Sequence, residues 1–158
     1  MNKGKVILEG KKFELTLARL CQELIENYED LEDTCIIGIQ DKGTLFSDRI
    51  IEHFQVSGLD HKAKYGKLDI TFHRDDFRRG GELLSPSSTE IDFVLENKKI
   101  ILIDDVLYTG RTIHSAMAAL QQFGRPGSVE LMVFVDRRFN RHLPIQANYI
   151  GITVDAIN

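Results

Sequence analysis

The chain has 158 residues, 42% of them hydrophobic and 28% charged, with 20 basic against 24 acidic side chains. A length of this order suits one domain that buries about 70% of its unfolded surface. The net charge of −4 gives no sign of a surface coated for nucleic acid in general and does not exclude a local basic patch.

No apolar run is long enough for a membrane span, and that of the N-terminus, MNKGKVILEGKK, is too short for a signal peptide. A cytoplasmic protein is the expectation. Cys21 and Cys35 lack metal-ligand spacing and read as two buried thiols in a reducing compartment.

In chain order, residues 11–28 place Phe13, Leu17, Leu20, Cys21, Leu24 and Tyr28 on one helical face. An acidic turn follows, then Cys35-Ile36-Ile37-Gly38-Ile39 as a buried strand and Gln40-Asp41-Lys42-Gly43 as a tight turn. Phe46, Ile50 and Phe54 recur every four residues, so a helix resumes near Thr44. Lys42 stands in that turn where an anion could sit. Residues 66–73 alternate, with Leu68, Ile70 and Phe72 to one side, and predict a half-buried strand. Residues 74–89 show no apolar period. A loop of that length in a compact domain is a functional lid or is disordered, and Gly80-Gly81 gives it hinge freedom.

Residues 91–95 read as a short strand and residues 100–103 as a buried parallel strand that ends at Asp104-Asp105. A polar loop, Tyr108-Thr109-Gly110-Arg111-Thr112, leads into a helix whose core face carries Ile113, Ala116, Met117, Leu120 and Phe123. Gly124 and Pro126 stop that helix. Residues 129–135 form the next strand, 136–147 are irregular and basic, and 149–154 supply an edge strand. Strands alternating with helices predict an α/β fold: a central, mainly parallel twisted sheet flanked by helices.

The loop after residues 100–103 is the most informative stretch. Its free N–H groups and the positive end of the following helix would face an anion, beyond the carboxyl end of a strand where α/β proteins bind ligands. It contains neither GxxxxGK[ST] nor GxGxxG, which speaks against a P-loop kinase or a dinucleotide enzyme. Instead, two carboxylates precede a Thr-Gly-x-Thr cradle. Such a pair could serve merely as a helix-capping feature, but the whole loop is more than a cap needs. Carboxylates accept strongly from sugar hydroxyls, and Mg²⁺ takes carboxylates together with phosphates and water. The ligand implied is a sugar phosphate.

The segment from Ile101 through Asp104, Asp105 and Tyr108 to Thr112 resembles the phosphoribosyl-pyrophosphate loop of type I phosphoribosyltransferases. It is most similar to the version in the bacterial PyrR family, which combines uracil phosphoribosyltransferase activity with RNA-binding attenuation of pyrimidine operons. Three other segments agree in order and spacing: Gly38 to Gly43, Leu68 to Asp76, and Val135 to Arg138 running on to Leu143-Pro144-Ile145 and Tyr149-Ile150-Gly151.

The resemblance implies a single domain over residues 1–158, with a core over about 30–135. A small hood would be built from the N-terminal segment and residues 136–158. Asp104 and Asp105 would hold the ribose hydroxyls, with a catalytic role for them and for Arg74. Val106, Leu107, Tyr108, Thr109, Gly110, Arg111 and Thr112 would line the 5′-phosphate, and Lys42 and Gly43 the pyrophosphate. Mg²⁺ would come with the substrate and reach Asp104 and Asp105. Arg74, Asp75, Asp76, Arg78 and Arg79 would form the lid, and Val135, Asp136, Arg137 and Val154 would receive the base. The implied reaction transfers ribose 5-phosphate to uracil, in a homodimer. An RNA-binding attenuator and a transferase for a purine or another acceptor are the alternatives.

Some positions depart from the family pattern. The chain stops at Asn158, short of where such proteins usually end. The family's Lys-Asn is here Ile152-Thr153, and the Pro after it is Asp155, which leaves the base open. Ala18, Gln22 and Gln146 replace a hydroxyl, a histidine and an arginine on which RNA recognition would draw, while Arg19, Arg137, Arg138, Arg141 and His142 remain basic or titratable.

Overall fold

A computed structural model describes residues 10–28, 31–57, 62–71 and 89–155. Helix α1 (Gly10–Asn27) is followed by β1 (Thr34–Ile39), α2 (Lys42–Val56), β2 (Lys64–Leu68), β3 (Lys99–Leu107) and α3 (Arg111–Leu120). A 3-10 turn over Gln121–Phe123, then β4 (Ser128–Arg138) and β5 (Tyr149–Asp155), complete the order. The five strands form one parallel sheet in the order β2-β1-β3-β4-β5.

Both faces of the sheet are covered, which is why its central strands are apolar without interruption rather than alternating with polar residues. Cys35, Ile37, Ile100, Leu102, Leu131 and Val133 pack on one face with Ile113, Ala116, Ala119 and Leu120 of α3. Ile36, Ile101, Ile103 and Met132 pack on the other with Leu17, Leu20 and Leu24 of α1 and Phe46, Ile50 and Phe54 of α2. The helical face expected over residues 11–28 is the one α1 buries: Leu17, Leu20, Cys21 and Leu24 are inside. Among the described residues no helix is long and apolar enough to cross a membrane.

Several local expectations need correction. Within the described residues the strand expected over 66–73 lies earlier, at Lys64–Leu68, because its pairing with β1 begins at Lys64↔Cys35 and ends at Leu68↔Ile39; Phe72 and His73 lie outside the described residues. Past Ile39 the chain turns into α2, so Asp69 and Ile70 have no ladder to join, although Ile70 stays buried. Residues 91–95 form no strand. Their contact with the sheet margin is one antiparallel bridge between Glu90 and Lys67, and Phe93 packs on the core as an irregular segment. Met117 is 40% exposed rather than on the core face, because Ile113, Ala116 and Leu120 already fill that side of α3. The helix expected from Thr44 begins at Lys42.

The strand order places the site. From β1 the chain steps outward to β2, then returns across β1 to β3 on its other side. The helices that follow β1 and β3 pack on opposite faces of the sheet, so the turns leading into them flank a crevice at the strands' carboxyl ends.

Candidate active site

The two turns that meet at this crevice are Asp41-Lys42-Gly43 after β1 and the stretch from Asp104 to Gly110 in and after β3. The strand β3 is longer than its apolar run. It keeps pairing with β4 through Asp104↔Val133, Val106↔Val135 and Leu107↔Asp136, so the two carboxylates lie within the strand, ahead of Val106 and Leu107, and not past its end. A strand backbone gives carboxylates a firmer seat than a loop would.

Gly43 is what lets the two turns touch. A Cβ on it would stand 2.8 Å from the Ile103 carbonyl oxygen and 3.1 Å from both Cα and Oδ1 of Asp104. Asp104 is buried and accepts the Asp105 N–H on Oδ1 at 2.9 Å. Asp105 is half-buried and accepts the Val106 N–H on its own Oδ1 at 2.8 Å. Each carboxylate is thus steadied by the main chain one residue on. Thr44 donates from Oγ1 to the Asp41 carbonyl at 2.6 Å, closing the first turn of α2. Lys42, exposed at that helix start, shares with Asp105, Val106 and Val135 a cleft of about 620 Å³ that Phe13 and Phe134 wall on the apolar side.

The second turn ends in Gly110, whose φ of +93° is a left-handed conformation suited to glycine. A Cβ there would also come to 3.3 Å from Ile145 Cδ1. Helix α3 starts at the next residue, with the Arg111 N–H on Thr109 Oγ1 at 3.3 Å. Its short apolar stripe fixes it to the sheet, so its N-terminal N–H groups stand at the same edge as the carboxylates.

Of residues 136–147, expected to be irregular and basic, 136–138 instead continue β4 because they pair with β5 through Arg138↔Asp155; the rest run alongside this loop. Arg141 donates to the Tyr108 carbonyl and to Asp136; the N–H groups of His142 and Leu143 donate to the Thr109 carbonyl. Arg137 sits with its guanidinium 4.0 Å from the centroid of the Tyr108 ring, within the range of a cation–π contact. Sequence reasoning assigned Arg141 to a basic cluster and missed its inward role. Its spacing of five residues from Asp136 in an irregular segment carries no signal that could have shown it.

The structure therefore brings together Lys42, Gly43, Asp104, Asp105, Val106, Val135 and, from the next turn, Tyr108 to Thr112. Asp136 and Arg137 lie at the end of β4, and Val154 is the cross-strand partner of Arg137 on β5. Asp136 is engaged by Arg141. Arg74, Asp75, Asp76, Arg78 and Arg79 lie outside the described residues. Among those described, no group of three or more His, Cys, Asp or Glu side chains forms a metal cage. Asp104 and Asp105 do suit the way Mg²⁺ is bound by one or two carboxylates together with substrate phosphates.

The crevice at the switch point thus has paired carboxylates on one lip and, beside them, the turn that opens α3. The phosphoribosyl transferase domain model matches residues 4–156, and the chain belongs to that family. Within it, the chain is 42% identical over 155 residues to the bifunctional protein PyrR of Caldicellulosiruptor bescii, covering 98% of this chain and 84% of that one. It is 44% identical over 148 residues to the bifunctional protein PyrR of Elusimicrobium minutum, covering 93% and 81%. In fold it is similar to a hypoxanthine phosphoribosyltransferase from Staphylococcus aureus, with a TM-score of 0.74 at 21% identity over 97% of this chain and 78% of that one. A hypoxanthine-guanine phosphoribosyltransferase from Bacillus anthracis gives 0.72 at 12% identity, over 96% and 84%.

Proposed function

We propose that the chain is a cytoplasmic, homodimeric enzyme that transfers ribose 5-phosphate from phosphoribosyl pyrophosphate to uracil, giving UMP and pyrophosphate. The observation that supports this reading is the close approach of Gly43 to Asp104, as a pyrophosphate turn packed against a ribose-holding pair would require. Likeness to the PyrR proteins favours a pyrimidine acceptor over a purine.

In this reading Asp104 and Asp105 accept hydrogen bonds from the 2′- and 3′-hydroxyls and fix the sugar's rotation. The N–H groups of the 109–112 turn bind the 5′-phosphate, aided by the hydroxyls of Thr109 and Thr112. Together they hold C1 where an in-line acceptor can reach it, an orientation effect that lowers the entropic part of the barrier. Displacement passes through an oxocarbenium-like state, so negative charge grows on the leaving pyrophosphate. Lys42 meets that charge. Asp104 and Asp105 would hold Mg²⁺ together with the substrate, and the ion would supply charge neutralisation at the pyrophosphate. Val135, Arg137 and Val154 form the wall for the base.

The test is pyrophosphate release from phosphoribosyl pyrophosphate with uracil, hypoxanthine, guanine and adenine. Release with uracil supports the reading, and release with a purine alone moves the acceptor. If the ligand binds and no base is consumed, the enzymatic reading is wrong.

RNA-binding attenuation is the second reading, favoured by the identity to bifunctional PyrR proteins. The engagement of basic groups weighs against it. Arg19 donates from Nη2 to the Gly151 carbonyl at 2.5 Å and to the Ile150 carbonyl at 3.2 Å, and Arg138 bonds to Asp155 at 2.6 Å.

A further inference from the structure

The turn from Tyr108 to Gly110 is held from outside its own strand and helix. Arg141 donates from Nη1 to the Tyr108 carbonyl at 2.6 Å and from Nη2 to Asp136 Oδ1 at 2.9 Å. Neither partner of that ion pair is fully in water: the side chains are 23% and 10% exposed, so solvent and salt screen it less than a surface pair. One and two residues on, the His142 and Leu143 N–H groups both donate to the Thr109 carbonyl, at 2.8 and 3.2 Å. The chain thus grips two successive carbonyls of the loop.

Gripping a carbonyl also aims an N–H. The peptide unit is planar and trans, so the N–H of the following residue points opposite to the C=O. With the Tyr108 and Thr109 carbonyls drawn toward residues 141–143, the Thr109 and Gly110 N–H groups are turned to the opposite side. Those are groups an anion at the start of α3 would use.

The geometry points to Arg141 as a positioning residue of the phosphate cradle. It touches no reacting atom. It acts by holding the Tyr108 carbonyl, and through Asp136 it ties the cradle to the end of β4, beside the wall proposed for the base. A main-chain anion site gains from being set in advance, because donors already aligned need no reordering when the ligand arrives. This inference rests on the reading of the 109–112 turn as a phosphate site.

The experiment is calorimetric binding of phosphoribosyl pyrophosphate in Mg²⁺ buffer, paired with steady-state kinetics. The proteins are the unaltered chain, Arg141→Ala, Arg141→Lys, Asp136→Asn and, as a control, Arg138→Ala. Arg141→Ala is expected to weaken binding about tenfold, the scale of one lost charge-assisted hydrogen bond. The KM for phosphoribosyl pyrophosphate should rise by a similar factor while kcat changes little. Arg141→Lys should recover part of the loss, since an ammonium reaches one of the two acceptors but lacks the fork to hold both. Asp136→Asn should fall between, and Arg138→Ala should match the unaltered chain. If Arg141→Ala does not fold, Arg141→Lys and Asp136→Asn carry the same comparison. Folded Arg141 variants that bind the ligand as tightly as the unaltered chain overturn the proposal. An unaltered chain that binds no phosphoribosyl pyrophosphate overturns instead the reading beneath it, and the two failures are distinct.

Discussion

Gly43 and Asp104 are in van der Waals register across the crevice: a Cβ on the glycine would meet Asp104 Oδ1 at 3.1 Å and the preceding carbonyl oxygen, that of Ile103, at 2.8 Å. The second of these is backbone in the middle of a parallel sheet and has nowhere to go. Gly43→Ala therefore forces the start of α2 away from β3. It should cost about 1–3 kcal/mol of stability, as overpacking does, and should lower kcat/KM for phosphoribosyl pyrophosphate more than it lowers the melting temperature. Equilibrium denaturation beside initial rates checks it. Full activity in the alanine variant would mean the two turns need not touch.

The carboxylates allow a cleaner separation of fold from function. Asp104 and Asp105 each use one oxygen to accept a main-chain N–H, and an asparagine keeps an oxygen that can do the same. The Asp104→Asn/Asp105→Asn double variant should fold normally by circular dichroism. Its kcat/KM should drop on the order of tenfold to a hundredfold, since charged acceptors are replaced by neutral ones. Retained activity would remove both residues from the ribose-holding role.

Gly110 is constrained by conformation as well as by space: its φ is +93°, and an added Cβ would stand 3.3 Å from Ile145 Cδ1. Gly110→Ala should lose more than about 1 kcal/mol, the range for a non-glycine residue forced to positive φ. The loss should be accompanied by weaker binding of ribose 5-phosphate, measured by calorimetry, while inorganic pyrophosphate, assigned to the Lys42-Gly43 turn, should bind as before. Unchanged binding of ribose 5-phosphate would separate the turn's shape from anion recognition.

Much of the fold was legible because the chain is consistent at two scales. Uninterrupted apolar runs at residues 35–39 and 100–103 could only be strands buried on both faces, and the spacing of Leu17, Leu20 and Leu24 could only be a helix laid on them. What failed depends on pairing that periodicity does not report. Residues 91–95 have a strand-like composition, but pairing beside β2 goes no further than the bridge from Glu90 to Lys67, while Lys64 and Tyr65 carry no strong strand pattern and join β1 all the same. The site was legible in its local part, the Asp104 to Thr112 stretch. Its non-local part, the Arg141 bridge from Tyr108 to Asp136, spans an irregular segment and shows only in three dimensions.

Burial sets the pH response of the core thiols. Cys21, sealed between α1 and the sheet, is pushed up to about 12 from the ordinary 9.0 because the thiolate would be desolvated there, and burial also raises Cys35. A pKa raised in the folded state stabilises the fold fully below the unfolded value and loses that contribution as pH climbs through the folded one. The window for Cys21 is thus pH 9 to about 12. Neither thiol should react with a disulfide reagent at pH 8 in the native protein, and both should react in denaturant. Relative to the unaltered chain, Cys21→Ala should show a shallower fall of stability above pH 9. Rapid native labelling of Cys21 would place it nearer solvent than the packing of α1 allows.

Arg19 decides between an enzyme alone and an enzyme that also reads RNA. Its guanidinium bonds to Glu23 Oε1 at 2.8 Å and to the carbonyls of Ile150 and Gly151 on the outer strand β5. Those carbonyls belong to an edge, and a side chain that occupies them blunts the edge against pairing with another chain. To contact an RNA phosphate, Arg19 would have to give up these bonds, leaving main-chain acceptors to find water. Arg19→Ala should therefore lower stability by about 1 kcal/mol, the net worth of such hydrogen bonds, and leave transferase rates unchanged. A filter-binding titration with pyrimidine-operon leader RNA at low salt should show no saturable binding, with or without UMP. Saturable binding that UMP strengthens, that weakens steeply as salt rises and that Arg19→Ala abolishes would reverse this assignment and make attenuation a second activity of the chain.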